Sequence, residues 1–383
     1  MAIYIILLLL ILINILKYDL GSKEHGKKKT PFYFCCVVLA TVAGIRYHIG
    51  SDTANYIAYF ENVPELANFF KEFNLEALTQ PLWFLLLSVS KGVFSDFLGF
   101  QFLHALVVNL LIGRFIFTLC QKPFVALLVY FCCCWWNFNF EIMRESLCVA
   151  IYINIFNAYT KNNDIKQFAL RSAPLLFIHM FAIIPITLTV VVHYFKYKTV
   201  FFVGLVVTAI LFFVLSNEAI TNLLLMGGSM VGESFAERVT LYVEGDKYGF
   251  KTLSIFGVLF ITITSVIYPM IVSKSKVVNE GYAKMLLLYS FVVILRMKIL
   301  IFIRICNYWE IMLLVFAVNF IYTNRKSLKK YYVTICLCYA MFKSISTFLT
   351  PLSSQGTRFD CRYIPYASYI EKSVHPTREF LYY

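Results

Sequence analysis

Ile3-Tyr4-Ile5-Ile6-Leu7-Leu8-Leu9-Leu10-Ile11-Leu12-Ile13-Asn14-Ile15-Leu16 is an apolar run closed by Lys17. No basic residue precedes it and no small-x-small cleavage site follows. It therefore reads as a retained first span and not as a cleaved signal peptide. Working outward, Lys17, Lys23, Lys27, Lys28 and Lys29 crowd one short loop, and a second apolar run occupies about 31–46. The same alternation of apolar run and charged loop continues to about residue 350. Crossing a bilayer core takes about 20 apolar residues per helix, and backbone polar groups inside it must be satisfied within the helix. The expected fold is all-α: a polytopic membrane bundle with some short or re-entrant helices.

Composition supports this. Of 383 residues, 60% are hydrophobic and 14% charged, and the mean hydropathy is +0.74. A soluble domain of this length is not built that way. The net charge of +13 is distributed in a manner that argues against nucleic acid as a partner. Lys161, Lys166 and Arg171 share one loop, Lys196 and Lys198 another, Lys274, Lys276 and Lys284 a third, and Arg325, Lys326, Lys329 and Lys330 a fourth. This is the positive-inside pattern of cytoplasmic loops. The intervening stretches are acidic. Asp52, Glu61, Glu65, Glu72 and Glu76 lie in 47–79, and Glu218, Glu233, Glu237, Glu244 and Asp246 lie in 216–250.

The expected arrangement is one transmembrane domain over 1–383, with no separate soluble domain, about 12 spans and both termini outside. Spans are expected near 3–16, 31–46, 123–138, 146–160, 168–178, 181–195, 199–215, 252–272, 284–297, 305–322 and 331–350. The outer segments are 47–79, 216–250 and the tail 351–383. Parity requires an odd number of crossings in 80–120, so one of Leu82–Phe94 and Phe97–Leu119 is expected to be interfacial or re-entrant. The cysteines fall almost entirely within apolar runs and lack zinc-type spacing, so no metal and no cofactor is expected.

Charged residues that break the topology rule mark candidate sites, because ionisable groups at membrane depth are costly. Four places qualify. The first is Arg46 with Tyr47, Asp52 and Tyr56, where Gly44 and Gly50 permit a tight turn. An arginine fork suits phosphate oxygens; the plainer reading is an Arg46–Asp52 ion pair that closes the loop. The second is Asn137 with Arg144 and Glu145, ahead of an apolar helix that Ser146 is placed to cap. An acidic residue favours a helix N-terminus by its dipole alone, which explains Glu145 and not Arg144. The third is His179, between short apolar runs bounded by Pro174 and Pro185. It is a general-base candidate near neutral pH, or a packed core histidine. The fourth is Arg296 and Lys298 with Arg304, Asn307 and Tyr308. There Arg296 and Arg304 share a face only if their helix is continuous.

The motifs in order resemble a known family. "GIRYHIGSDTANY" (Gly44–Tyr56) is similar to an arginine-tyrosine-glycine-aspartate-tyrosine stretch after a second span. "NFEIMRESLCVA" (Asn139–Ala150) is similar to a pre-helix arginine motif, "LLFIHMFAI" (Leu175–Ile183) to a histidine motif, and "ERVTLYVEGDKYG" (Glu237–Gly249) to a tyrosine-rich loop. Over at least residues 30–310 the chain resembles the EpsG-like multi-pass exopolysaccharide proteins, within the Wzy-type class of O-antigen and capsule polymerases. It departs from the pattern at Glu145, where glutamine is usual, and at Met180 and Phe181, where a small residue is usual.

The resemblance implies a metal-independent glycosyltransferase at the outer face of a bacterial inner membrane. Its substrate would be an oligosaccharide repeat on undecaprenyl pyrophosphate. A flippase and a chain-length regulator of the same pathway are implied partners. On this reading His179, Asp52 and Glu145 are the candidate bases. Arg46, Tyr47, Tyr56, Asn137, Arg144, Arg238, Tyr242, Arg296, Arg304, Asn307 and Tyr308 are candidates for the pyrophosphate and sugars. An O-antigen ligase and a flippase are the alternatives; a flippase is expected to show inverted repeats, and the sequence has none that is clear.

Overall fold

The computed structural model describes residues 2–21, 25–71, 80–214, 261–324 and 363–372, with isolated residues between 219 and 259. The described residues are helical apart from turns, short extended stretches and one isolated antiparallel bridge between Arg46 and Ser368.

Helix α1 (Ala2–Leu20) begins as an α-helix and ends in π turns over Ile15–Leu20. Tyr4, Leu7, Ile11 and Ile15 are buried, whereas Ile5, Ile6, Leu9, Ile13 and Leu16 are exposed. This is helical periodicity with both faces apolar, one for protein and one for hydrocarbon. Helix α2 (His25–Gly44) is followed, after an irregular loop, by a short α3 (Thr53–Asn62). Then come α4 (Pro81–Val93) and α5 (Phe97–Leu119), which Asp96 caps by accepting from the Leu98 amide. With 13 residues, α4 rises only about 20 Å, short of the roughly 30 Å hydrocarbon core. Of the two apolar segments in 80–120, only α5, with 23 residues, is long enough to cross.

Helices α2 and α5 pack closely because small residues meet there. A Cβ on Gly113 would lie 2.6 Å from Cys36 Sγ, and one on Gly44 would lie 2.8 Å from Phe102 Cα. Small-residue contacts of this kind let membrane helices approach. Helix α6 starts at Pro123 and runs to Trp135, its second half in π turns, with a further π turn over Asn137–Glu141. Its inner face carries Tyr130, Trp135 and Asn139, all buried. Asn139 accepts from Asn109 of α5 at 2.7 Å and donates to the Trp135 carbonyl at 2.8 Å. Helix α7 (Met143–Asn162) follows.

The chain groups into two compact units. The first holds residues 1–154, 177–179 and 321–383; the second holds 155–176 and 180–320. The second contains α8 (Ile165–Leu176), a 3-10 turn over Met180–Ala182 and α9 (Ile183–His193); residues 177–179, which interrupt the chain between α8 and that turn, group with the first. Helix α10 (Tyr197–Val214) exposes Phe202, Val203, Leu205, Val206, Val207, Ile210 and Phe213. So continuous an apolar face belongs in lipid. Helix α11 (Thr262–Ser273) precedes the largely buried α12 (Glu280–Lys298). Phe291 of α12 lies over Gly204 of α10, 2.3 Å from where a Cβ would stand. Ile299–Phe302 breaks the chain before α13 (Ile303–Asn324).

Four helices among the described residues are long and apolar enough to cross a membrane: Ala2–Leu20, Phe97–Leu119, Tyr197–Val214 and Ile303–Thr323. Shorter apolar helices accompany them. The expected span 331–350 lies outside the described residues, as do nearly all of 216–250 and most of the tail.

Candidate functional site

The loop after α2 is held from four sides. Gln101 of α5 donates to the carbonyls of Gly44 at 2.7 Å and Arg46 at 2.9 Å, satisfying acceptors that a helix end leaves open. Arg46 is fully buried. Its Nη1 donates to the Ala43 carbonyl at 2.7 Å and its Nε to the Ile49 carbonyl at 3.2 Å. The guanidinium also stands 5.1 Å from the Phe140 ring centre. From the far end of the chain, the Ala367 carbonyl accepts from the Tyr47 amide at 2.9 Å, and the Tyr369 amide donates to Ile45 at 3.0 Å. Tyr47, partly buried, packs edge-on against Tyr369 at 5.0 Å. Burial, with Asp96 adding to it, pushes the Tyr369 phenol up to about 12, so this phenol is neutral at ordinary pH.

Gly50 turns the loop with φ +99°, and a Cβ there would lie 2.2 Å from the Phe140 carbonyl oxygen. That contact seats the loop on the π-helical end of α6. Next to Phe140, Glu141 reaches the N-terminus of α3. Its carboxylate accepts from the Ser51 amide at 3.0 Å, the Ser51 hydroxyl at 2.5 Å and the Asp52 amide at 3.3 Å. A carboxylate at a helix N-terminus is favoured by the helix dipole and by charge-assisted bonds. The Arg46–Asp52 ion pair considered from sequence is not what closes the loop. Arg46 binds carbonyls, Glu141 anchors the turn, and Asp52 is left partly exposed with no capping bond from its side chain.

Helix α3, fixed in this way, presents Tyr56 and Tyr59 to Arg144 in the first turn of α7. The guanidinium carbon lies 5.8 Å from the Tyr56 ring centre and 5.4 Å from that of Tyr59. Its Nη1 donates to Gln80 Oε1 at 2.9 Å. Gln80 is buried directly before Pro81; Tyr56 packs on Trp83 and Tyr59 on Phe84. Arg144 itself is only partly buried. It is thus oriented by two π faces and one amide.

His179 arrives at the same end of α4. The Phe177 carbonyl accepts from the Leu82 amide at 3.0 Å and the Trp83 amide at 3.4 Å, which docks the 177–179 turn on the first turn of that helix. His179 is 8% exposed. Glu145 is buried at 1% exposure. Helix α7 starts at Met143, so Ser146 lies inside its first turn and does not cap it; its hydroxyl donates to the Met143 carbonyl at 3.0 Å. Asn137, half-buried in the π turn, accepts the Ile142 amide on its carbonyl at 3.0 Å.

The structure therefore brings together Tyr56, Arg144 and the turn bearing His179, with Asp52 four residues before Tyr56 at the start of α3. Reasoning from sequence missed Glu141, Gln80, Tyr59 and residues 363–369. Glu141 lies within the Asn139–Ala150 motif, but its partners are 90 positions away in sequence and nothing local marks it. Arg238 and Tyr242 lie outside the described residues. In the second unit, Arg296 sits on α12 and Arg304 on α13. The break at Ile299–Phe302 removes the continuous helix on which they would share a face. Lys298 donates to the carbonyls of Leu211 and Phe212 at 3.2 and 2.8 Å. Asn307 and Tyr308 are buried within α13.

Helices of crossing length, a lipid-facing apolar surface and a polar loop clamped against helix ends define an all-helical, multi-pass membrane protein. Residues 29–368 match the EpsG family, and the chain belongs to that family. Its members are exopolysaccharide proteins resembling Wzy-type polymerases. The matched region includes the Gly44–Tyr56 loop, α3, α7 and the 177–179 turn. Comparison with curated proteins and with solved structures gives no match.

Proposed function

We propose that the protein is a polysaccharide polymerase of the bacterial inner membrane. It would transfer a growing glycan from undecaprenyl pyrophosphate to an incoming lipid-linked repeat unit of O antigen, capsule or exopolysaccharide. The proposed topology has about 12 spans, both termini outside, and the Gly44–Tyr56 loop facing the exterior. The observation that carries this reading is Arg144, partly open and held by Tyr56, Tyr59 and Gln80 at the helix end where the His179 turn docks.

In the reaction, an acceptor hydroxyl of the incoming repeat attacks the anomeric carbon of the growing chain. The bond from that carbon to the lipid pyrophosphate breaks, and the hydroxyl proton passes to a base. The leaving group gains negative charge, so a fixed cation at its oxygens lowers the barrier. Arg144 is assigned that role, because Arg46 is committed to carbonyls inside the loop. His179 is the preferred base, Asp52 the second and the buried Glu145 the third. Tyr47 in the loop, Tyr56 on α3 and Asn137 in the π turn that precedes α7 are assigned to the sugars. Arg238, Tyr242, Arg296, Arg304, Asn307 and Tyr308 are further proposed contacts to pyrophosphate or glycan.

A deletion strain tests this, with its surface glycan resolved on a gel. Loss of a polymerase leaves one repeat unit on the anchor. Lipid-linked polymer with none on the anchor would instead identify a ligase.

A further inference from the structure

A second polar centre lies at the opposite end of α2 from the loop. Asp19, at the end of α1, is fully buried. One carboxylate oxygen accepts from Lys28 Nζ at 3.1 Å; the other accepts from the amides of Phe124 and Val125 at 2.9 and 3.0 Å. Asp19 thus caps α6 across the fold, where Pro123 supplies no N–H of its own. Both of its oxygens are committed. Lys122 is also buried, yet it reaches only the Asp19 backbone carbonyl and the Tyr322 ring, 4.8 Å from the centroid. Among the described residues no carboxylate pairs with it.

These groups wall a cavity of about 420 Å³ lined by His25, Lys28, Thr118, Gln121, Lys122 and Tyr322 among others. That volume is within the roughly 300–1,000 Å³ of small-molecule sites. Two lysines line it and one aspartate, Asp19, stands beside them, one positive charge in excess. A buried cation is costly unless an anion balances it. Lys28 and Lys122 both line this space, which is large enough for a phosphate group. The apolar flank of α1, with Ile13 and Leu16 exposed beside this end, opens the region to acyl chains.

We propose that this cavity binds a phosphate anion, Lys122 being its principal charge partner and Lys28 its second, at a site separate from the Arg144 centre. The phosphate is either the headgroup of an anionic phospholipid or a soluble phosphate. Neither source depends on the glycan chemistry proposed above.

The full-length protein in a neutral detergent is titrated with short-chain phosphatidylglycerol, with short-chain phosphatidylcholine and with inorganic phosphate, and its melting temperature is followed. A saturable rise with phosphatidylglycerol alone identifies a lipid headgroup, and a matching rise with inorganic phosphate identifies a soluble anion. In either case Lys122→Gln weakens the apparent affinity at least tenfold. Gln121→Glu, which places a carboxylate at the exposed mouth without touching Asp19, does the same and serves where Lys122→Gln fails to fold. No rise with either anion, an equal rise with phosphatidylcholine, or unchanged affinity in the folded variants overturns the proposal.

Discussion

The Glu141 carboxylate grips Ser51 through both its amide and its hydroxyl, across 90 positions of sequence. This pair fixes where α3 begins, and α3 in turn places the two tyrosine rings that orient Arg144. The end of α6 therefore sets the geometry of α7 through a loop and a helix that belong to neither.

Glu141→Gln keeps the shape of the side chain but loses the charge and one acceptor oxygen. It is expected to destabilise the protein by about 1.5–3 kcal/mol, the range for hydrogen bonds to a charged group. Polymer output is expected to fall while membrane insertion persists. Thermal unfolding of the purified variant, beside glycan analysis of cells carrying it, checks both parts. An unchanged melting temperature would show that the contact contributes little.

Gly50→Ala is expected to be far more damaging than Gly92→Ala. At Gly50 the new methyl meets the Phe140 carbonyl oxygen and the backbone has φ +99°; at Gly92 nothing lies within 4 Å. On an open helical face, replacing glycine by alanine is neutral or favourable by up to about 1 kcal/mol. Folded protein recovered from membranes, scored by size-exclusion chromatography in detergent, separates the two.

Arg46 and Arg144 are expected to fail in different ways. Arg46→Ala removes the guanidinium's bond to the Ala43 carbonyl and leaves the Ile49 carbonyl with the Thr53 hydroxyl as its side-chain donor, in a closed interior, so the loss appears as reduced folded protein. Arg144→Ala is expected to fold and to lose roughly a hundredfold or more in turnover, as removal of a donor to developing charge does. Arg144→Lys is expected to restore little of it, because an ammonium has neither the planar fork nor the stacking surface. Turnover of purified lipid-linked repeat, normalised to folded protein, is the measurement.

For the base, His179→Gln and Asp52→Asn are to be compared for turnover against pH. His179→Gln is expected to abolish turnover across the pH range tested, with Asp52→Asn retaining it. The reverse outcome moves the role to Asp52.

Much of the helix order was legible because lipid leaves little choice: apolar runs and basic loops mark their own ends. The break at His179 and the shortness of Pro81–Val93 follow from prolines and run lengths that are visible in the sequence. Arg144 stood out because helix dipoles explain Glu145 and not its neighbour. Gln80 and Glu141 did not stand out, since their partners lie 64 and 90 positions away and no periodicity encodes such a meeting. Nor did the pairing of 367–369 with 45–47, which joins two irregular segments through backbone groups that every sequence carries. The Arg46–Asp52 pair was an economical reading of adjacent charges. The fold preferred carbonyl partners for one and a remote carboxylate beside the other.

The return of residues 363–369 to the loop sets an order of events during synthesis. Tyr366 donates to the Val42 carbonyl, 324 positions earlier in the chain. At about 5–20 residues per second, the loop after α2 waits roughly 15–65 s before its clasp is made. For that interval the nascent protein holds the Ile45 carbonyl and the Tyr47 amide without their last backbone partners. A chain ending short of residue 363 lacks this clasp on the loop after α2.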